Sequence, residues 1–306
     1  MARSHPPTLL TTLSATLRRG CSVQRGDHIL VAVSGGGDSQ SLLHALARLA
    51  PKLGLVLSAH GVDHGLRPEA SAELDMAQEL AGDLGVAFGR SQLSVRPGAN
   101  LMHRARRARY QALRQAAADV GAGLIATAHH ADDRAETVLL RLLRGAGPRG
   151  LAVLPARDGD LLRPLIHVPR AAVVAHLARH HIEFARDPSN LDRRFLRVRV
   201  RHELMPLLES MSPEIVSHLN ALADQLASGP VPRLLDDQGR PVDLGRAQVE
   251  ALRQLVASGS AKAHVRLSDS RVLRLDSGGK PVVEDAPAPA RRGRPRGRGA
   301  KPGKSD

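Results

Sequence analysis

The stretch that most restricts the fold is ILVAVSGGGDSQSLLHALARL, residues 29–49. An apolar run of strand length enters Ser34-Gly35-Gly36-Gly37-Asp38-Ser39, and a helix-periodic run leaves it with no spacer between. A strand this apolar belongs inside a sheet covered on both faces. Glycines at such a joint permit positive φ and close approach of a ligand. Backbone N–H groups and the positive end of the helix dipole then converge on one spot, which suits a phosphate. The loop has neither the lysine of G-x-x-x-x-G-K-S/T nor the spacing G-x-G-x-x-G, so it is not the usual triphosphate or dinucleotide site. Ser34 and Ser39 add hydroxyl donors. Asp38 places a carboxylate beside a phosphate nest, a pairing that a shared divalent cation would reconcile.

Strand-length runs alternate with helical periodicity beyond the loop. Residues 28–34, 54–63, 86–95 and 122–130 read as strands, and 38–50, 68–84, 101–119 and 132–144 as helices. This order predicts an α/β fold, a doubly wound parallel sheet with helices on both faces. Ligands sit at the carboxyl ends of the strands in such sheets. Three polar clusters fall there: SGGGDS, HGVDHG (60–65) and HHADD (129–133). His60 and Asp63 thereby become candidates for contacts with a nucleotide's base and ribose.

After residue 148 the pattern loosens. Residues 161–166 read as a strand, 169–181 and 212–227 as helices, and 185–208 as a basic loop leading into a helix. The predicted organisation is a helical lead-in (1–24), a nucleotide-binding catalytic domain (25–210), a helical linker (211–229), a small α+β piece for the substrate (230–285) and a disordered basic tail (286–306). A helix over 246–257 and hairpin-like alternation in AHVRLS and RVLRLD fill the small piece.

The formal charge is +14, and the last twenty residues carry seven Arg or Lys against one Asp, so the body stays basic without them. That balance points to a polyanionic partner. With no Trp, one Tyr and three Phe, base stacking on aromatics cannot be the main binding mode. The single cysteine, Cys21, excludes an internal disulfide framework and multi-cysteine metal sites. No apolar run is long enough for a bilayer and the N-terminus lacks a signal peptide's apolar core, so a cytoplasmic protein without membrane contact is expected.

Asp132, Asp133 and Glu136 open the helix after IATAHH; Asp133 and Glu136 share a face and suit a cation. His129 and His130, adjacent in an extended segment, point to opposite sides, so one packs and the other faces the cleft. Arg104, Arg106, Arg107 and Arg109 crowd one helix with Tyr110; positions 106 and 109 or 110 share a face, which places a partly buried arginine to reach active-site phosphates or carboxylates. Arg193, Arg194, Arg197, Arg199 and Arg201 form a second basic group with alternating apolar residues, read as a stripe for phosphates.

SGGGDS resembles the pyrophosphate-binding loop of the adenine-nucleotide α-hydrolases, the PP-loop ATPases. Five further motifs follow in order: AHGVDHGLRPEAS (59–71), ANLMHRARRARYQAL (99–113), TAHHADDRAETVLLRLLRGAGPRGL (127–151), LLRPLIHVPRAAV (161–173) and DPSNLDRRFLRVRVRHELMPLL (187–208). Together they resemble the tRNA(Ile)-lysidine synthases over residues 25–227. The resemblance implies a carbon–nitrogen ligase. ATP would adenylate carbon 2 of the wobble cytidine in tRNA(Ile), and the amine of L-lysine would displace AMP. It implies ATP contacts at Ser34–Ser39, His60 and Asp63, with Mg2+ on Asp38. Asp38, Asp132 and Asp133 would be catalytic, Asp133, Glu136 and Arg106 would bind lysine, and Arg194, Arg197, Arg199 and Arg201 would bind tRNA. Val198 stands where the family pattern R-N-R-I-R has Asn. A tRNA thiolase on the same fold and a non-catalytic ATP-binding module are the rival readings, and a homodimer is left open.

Overall fold

The computed structural model describes residues 8–63, 65, 69–93, 98, 101–185, 194–227, 234, 242, 244, 246–258, 264–267, 271–276 and 281–285. The basic tail expected at 286–306, and Arg193 of the second basic group, lie outside them. The chain forms two compact units, 1–229 and 230–306.

In the first unit, α1 (Leu9–Ala15) continues through a π-helical turn (Thr16–Gly20) to β1 (His28–Val33) and α2 (Gly37–Leu53). Next come β2 (Val56–Asp63), α3 (Ala70–Asp83), β3 (Ala87–Gln92), α4 (Leu101–Asp119), β4 (Leu124–Ala126) and α5 (Ala131–Leu142). They are followed by α6 (Pro148–Leu151), β5 (Arg157–Asp158), β6 (Leu161–Leu162) and α7 (Arg170–Arg179). Finally α8 (Leu196–Arg199) runs through a second π-helical turn (Val200–Leu204) into α9 (Met205–Met211), and α10 (Ile215–Ala227) follows. The sheet order is β3-β2-β1-β4-β6-β5, parallel except for the last pair. Strand order reverses between β1 and β4. The glycine loop leaving β1 therefore opens into the crevice where such sheets bind ligands.

The side-chain period of two explains why β1 is apolar throughout. Ile29, Val31 and Val33 face a core shared with α1, α2 and α7, whereas Leu30 and Ala32 face Leu113, Ala116 and Ala117 of α4. A third cluster joins α5 to α9 and α10 through Val138, Leu139, Met205, Leu219 and Ala223. Two expected divisions dissolve in this packing. Leu9, Leu13 and Leu17 of the lead-in belong to the main core, and the supposed linker helix is α10, packed on α5.

Several strands are shorter than the sequence pattern implies. β4 ends at Ala126, with the Thr127 N–H making a last bond to the Leu162 carbonyl before Ala128–His130 turn into α5, and β6 stops two residues before Pro164, whose ring removes a ladder donor. β5, an antiparallel edge strand of two residues, carries no period-two signal at all.

Cys21 is fully buried, its Sγ 3.4 Å from the Ala156 carbonyl. Burial pushes its thiol up to about 11, against the smaller opposing effects of Arg163 and Arg157. At pH 8 only about one thiol in a thousand would be thiolate. Iodoacetamide is therefore expected to label the native chain at least about a hundredfold more slowly than the urea-unfolded chain, as intact-mass kinetics would show.

In the second unit α11 (Arg246–Ser258) precedes an antiparallel sheet, β7 (Val265–Arg266), β8 (Arg271–Leu275) and β9 (Pro281–Asp285). Leu252 and Leu255 of α11 pack on Leu273, Leu275 and Val283. The hairpin was legible; β9 was not, since it starts on Pro281, just after Gly278-Gly279-Lys280. Among the described residues, no helix is long and apolar enough to cross a membrane.

Candidate active site

The loop after β1 is held from three sides. Ser39 Oγ accepts the Ser34 N–H at 3.1 Å and donates to the Gly36 carbonyl at 2.9 Å. The Ala185 N–H donates to the Gly35 carbonyl at 3.0 Å from across the crevice. Gly35 has φ +73°, and a Cβ there would lie 2.1 Å from the Glu73 carbonyl oxygen of α3. A Cβ at Gly37 would meet Leu177 at 3.0 Å and Phe184 at 3.1 Å. Around Gly36 the nearest atom to such a carbon is Ser34 Oγ at 3.6 Å. Two of the three glycines thus let neighbours close in, and Gly36 leaves the room a ligand would need. Ser39, read from sequence as an anion donor, spends its hydroxyl on the loop itself; Ser34 is exposed at the rim.

One imidazole joins this loop to the acids of α5. His130 is buried and is the N-cap of α5, with its Nδ1 accepting the Asp133 N–H at 3.3 Å while Asp133 Oδ2 accepts the His130 N–H at 3.2 Å. Its Nε2 lies 3.6 Å from Asp38 and 3.5 Å from Asp133, and its Nδ1 3.7 Å from Asp132. Burial lowers the affinity of His130 for a proton, but Asp38, Asp133 and Asp132 outweigh it and raise the pKa. Asp38 is half exposed at the loop and carries hard oxygen donors. It suits an ion such as Mg2+, which takes one or two carboxylates and keeps its remaining positions for phosphates and water. Asp132 does something further: its Oδ2 accepts the Arg170 N–H at 2.8 Å, the first amide of α7.

The acid pair one turn into α5 meets cations from its own chain. Glu136, buried, accepts from Arg201 Nε at 2.6 Å and Arg201 Nη2 at 3.1 Å, and from Arg197 Nε at 3.0 Å. Asp133 Oδ1 accepts from Arg197 Nη2 at 2.9 Å and Arg201 Nη2 at 3.3 Å. Burial would raise the Asp133 pKa, yet His130, Arg197 and His129 together hold it below the usual carboxylate value. Arg201 is likewise lowered by burial but raised overall by Glu136, Asp133 and Asp38.

The phosphate stripe read from R-V-R-V-R is therefore divided. Residues 197 and 201 are four apart on helical backbone and share the face that meets α5. Arg199 falls on the other side, exposed, paired with Glu203 at 3.1 Å, and Arg194 is exposed ahead of α8. A spacing of two keeps side chains together in a strand and separates them by about 200° in a helix.

Across the crevice lies a positive wall. His129, hydrogen-bonded to Thr127 Oγ1 at 3.0 Å, is pushed down to about 4. Burial is the main cause; Asp133 opposes it, and Arg106, Arg163 and Arg109 add to it. Arg106 lies over the Tyr110 ring, 5.2 Å from its centroid. Burial lowers the Arg109 pKa, and no carboxylate faces this guanidinium among the described residues. Arg163 is buried against the Pro155 carbonyl at 2.8 Å. Sequence reading left Arg163 without a role; the signal was a cation inside the apolar run LLRPLI.

The two residues expected at a nucleotide's base and ribose, His60 and Asp63, both belong to β2. His60 lies within β2 opposite Gly89, is buried, and pairs with Ser91 Oγ at 2.8 Å, so it packs inside the sheet. Asp63 ends β2 and caps the next turn through the Gly65 N–H at 2.8 Å.

The PP-loop domain family matches residues 9–208. The chain is 48% identical over 187 residues to the tRNA(Ile)-lysidine synthase of Rhodopseudomonas palustris, covering 59% of this chain and 54% of that protein. It is 39% identical over 253 residues to that of Pseudomonas fluorescens, covering 80% and 56%. The chain thus spans about half the length of the curated relatives it matches. Among solved structures, the U34-tRNA thiolase NcsA of Methanococcus maripaludis, with its 4Fe–4S cluster, superposes at a TM-score of 0.61 and 17% identity, covering 77% of this chain and 84% of that one. That likeness concerns the fold. Since the matched stretch takes in every strand of the six-stranded sheet, the glycine loop and the acidic start of α5, the chain belongs to the PP-loop domain family.

Proposed function

We propose that this chain joins L-lysine to carbon 2 of the wobble cytidine in tRNA(Ile), using ATP and releasing AMP and pyrophosphate. The observation that carries the reading is His130, whose one ring stands between Asp38 of the anion loop and Asp133 of the cation-binding pair. An anion cradle and an acid pair within one imidazole of each other suit a reaction that brings a nucleotide and an ammonium group together.

In this reading the amides around Gly36 and at the N-terminus of α2 take the departing pyrophosphate, and Arg106, Arg109 and Arg163 offset the charge of the triphosphate and of lysine's carboxylate. Asp38 would hold Mg2+, which supplies charge neutralisation on the leaving phosphates. Lysine's ammonium would enter between Asp133 and Glu136, taking over contacts now made by Arg197 and Arg201. Those two arginines, freed from the acids, and the exposed Arg194 and Arg199 would turn to RNA phosphates. The setting is cytoplasmic, where tRNA, ATP and lysine meet.

The rival thiolase chemistry asks for thiolates. This chain offers one cysteine, buried and protonated, which supports lysine rather than sulfur as the incoming group.

The test is nucleoside mass spectrometry of tRNA(Ile) after incubation with ATP, Mg2+ and lysine, alongside AMP release. Cytidine is expected to gain the mass of lysine less water, with one AMP per lysine, and Asp38→Ala is expected to slow the reaction by about a hundredfold or more. AMP release indifferent to lysine, or a thiolated product, would overturn the assignment while leaving the fold.

A further inference from the structure

We infer that His44, His176 and His180 form a binding site for a divalent transition metal, Zn2+ by their chemistry, which clips the helix of the anion loop to α7. The site lies outside the catalytic residues described above, and its case is independent of the proposed reaction.

His44 projects from α2, five residues after Ser39. His176 and His180 are four apart on α7 and its C-cap, the spacing that puts two imidazoles on one helix face. The three rings gather closely: the centroids of His44 and His180, and of His176 and His180, are each 4.6 Å apart, and those of His44 and His176 5.0 Å. One ligand nitrogen from each lies within 4.8 Å of the others. Zn–N bonds of about 2.1 Å in a tetrahedron set nitrogens about 3.4 Å apart, so side-chain rotation alone closes the site. His44 and His176 are buried, and His180, half-buried, leaves a solvent side for a fourth ligand.

The chemistry of the donors selects the ion. Burial, first, and then the neighbouring histidines and Arg48 lower the pKa of both His44 and His176, the latter to about 4, with Arg179 contributing at His176. The hydrogen bond between His44 Nδ1 and His176 Nε2, 2.9 Å long, occupies one proton; moving it to the far nitrogen of whichever ring carries it frees both facing nitrogens with no net proton released. Three imidazoles and no carboxylate suit zinc, cobalt or nickel and not magnesium or calcium. Arg48 and Arg179 are the charged groups beside the rings, and their repulsion moderates the affinity.

The clip has a geometric consequence. The N-terminus of α7 is already fixed by Asp132, and Leu177 packs under Gly37. A metal at the other end would pin α7 and α2 together directly behind the loop.

The experiment uses the untagged, metal-stripped full chain titrated with Zn2+, with Co2+ as a spectroscopic probe. Expected are one equivalent bound, ligand-field absorption of a four- or five-coordinate cobalt, and slower amide exchange along α2 and α7. His180→Gln, at the half-buried ring, is expected to weaken binding at least tenfold without moving the unfolding midpoint of the metal-free protein. Arg48→Gln, which removes a repelling charge, is expected to tighten it severalfold. No stoichiometric binding, or equal binding by wild type and His180→Gln, overturns the site.

Discussion

Gly35→Ala is expected to destabilise the first unit by about 3 kcal/mol or more and, in the proposed reaction, to abolish ATP turnover. Two costs combine. The residue sits at φ +73°, where an L side chain is strained by about 1–2 kcal/mol. Its new methyl would also stand 2.1 Å from the Glu73 carbonyl oxygen and 2.7 Å from the carbonyl carbon, backbone atoms that cannot rotate away. α3 or the loop must shift, and the Ser34–Ser39 hydrogen bond shifts with it. Gly121→Ala isolates the first cost, because Gly121 has φ +72° with nothing within 4 Å of the added carbon. Chemical denaturation of both variants should place Gly121→Ala near 1 kcal/mol and Gly35→Ala well beyond it. Equal losses would mean that the contact with α3 imposes nothing.

Glu136→Ala should be the second severe substitution, costing about 3 kcal/mol of stability. The carboxylate is buried and takes three charge-assisted hydrogen bonds from Arg197 and Arg201, so its removal strands a cation that is only partly hydrated. Arg197 is about half exposed and recovers water, which keeps the loss at the low end of the range for broken buried pairs. Glu136→Gln keeps the shape and one acceptor and should lose less. A double-mutant cycle with Arg201→Ala should show clear coupling, on the order of 1–3 kcal/mol. In the proposed reaction both Glu136 variants raise the lysine concentration needed for AMP release, a readout that instability alone does not move once folded protein is compared.

The sheet and its loop were legible because their signals are local: a run of apolar residues, a glycine joint, and a polar cluster at each strand end. The acidic start of α5 was legible for the same reason. What stayed hidden depends on partners far along the chain. Arg134 is fully buried, donating to the Val153 carbonyl at 2.9 Å and to Asp224 at 2.6 Å. Nothing in ADDRAET distinguishes it from a solvated charge. The place of His60 was hidden too: its motif suggested a strand end, and its pairing with Gly89 puts it three residues before the end of β2. The contacts of Arg197 and Arg201 with Asp133 and Glu136 were hidden because alternation was read at strand period on a segment that winds as a helix.

Tyr110 gives the molecule an optical property of its own. With no tryptophan in the chain, its ring is the sole strong emitter, and Arg106 both covers the face and donates to the hydroxyl at 3.3 Å. Any polyanion that draws Arg106 off the ring changes the fluorophore's surroundings. Emission excited at the phenol band thus follows occupancy of the positive wall in unlabelled protein, without a probe having to be attached.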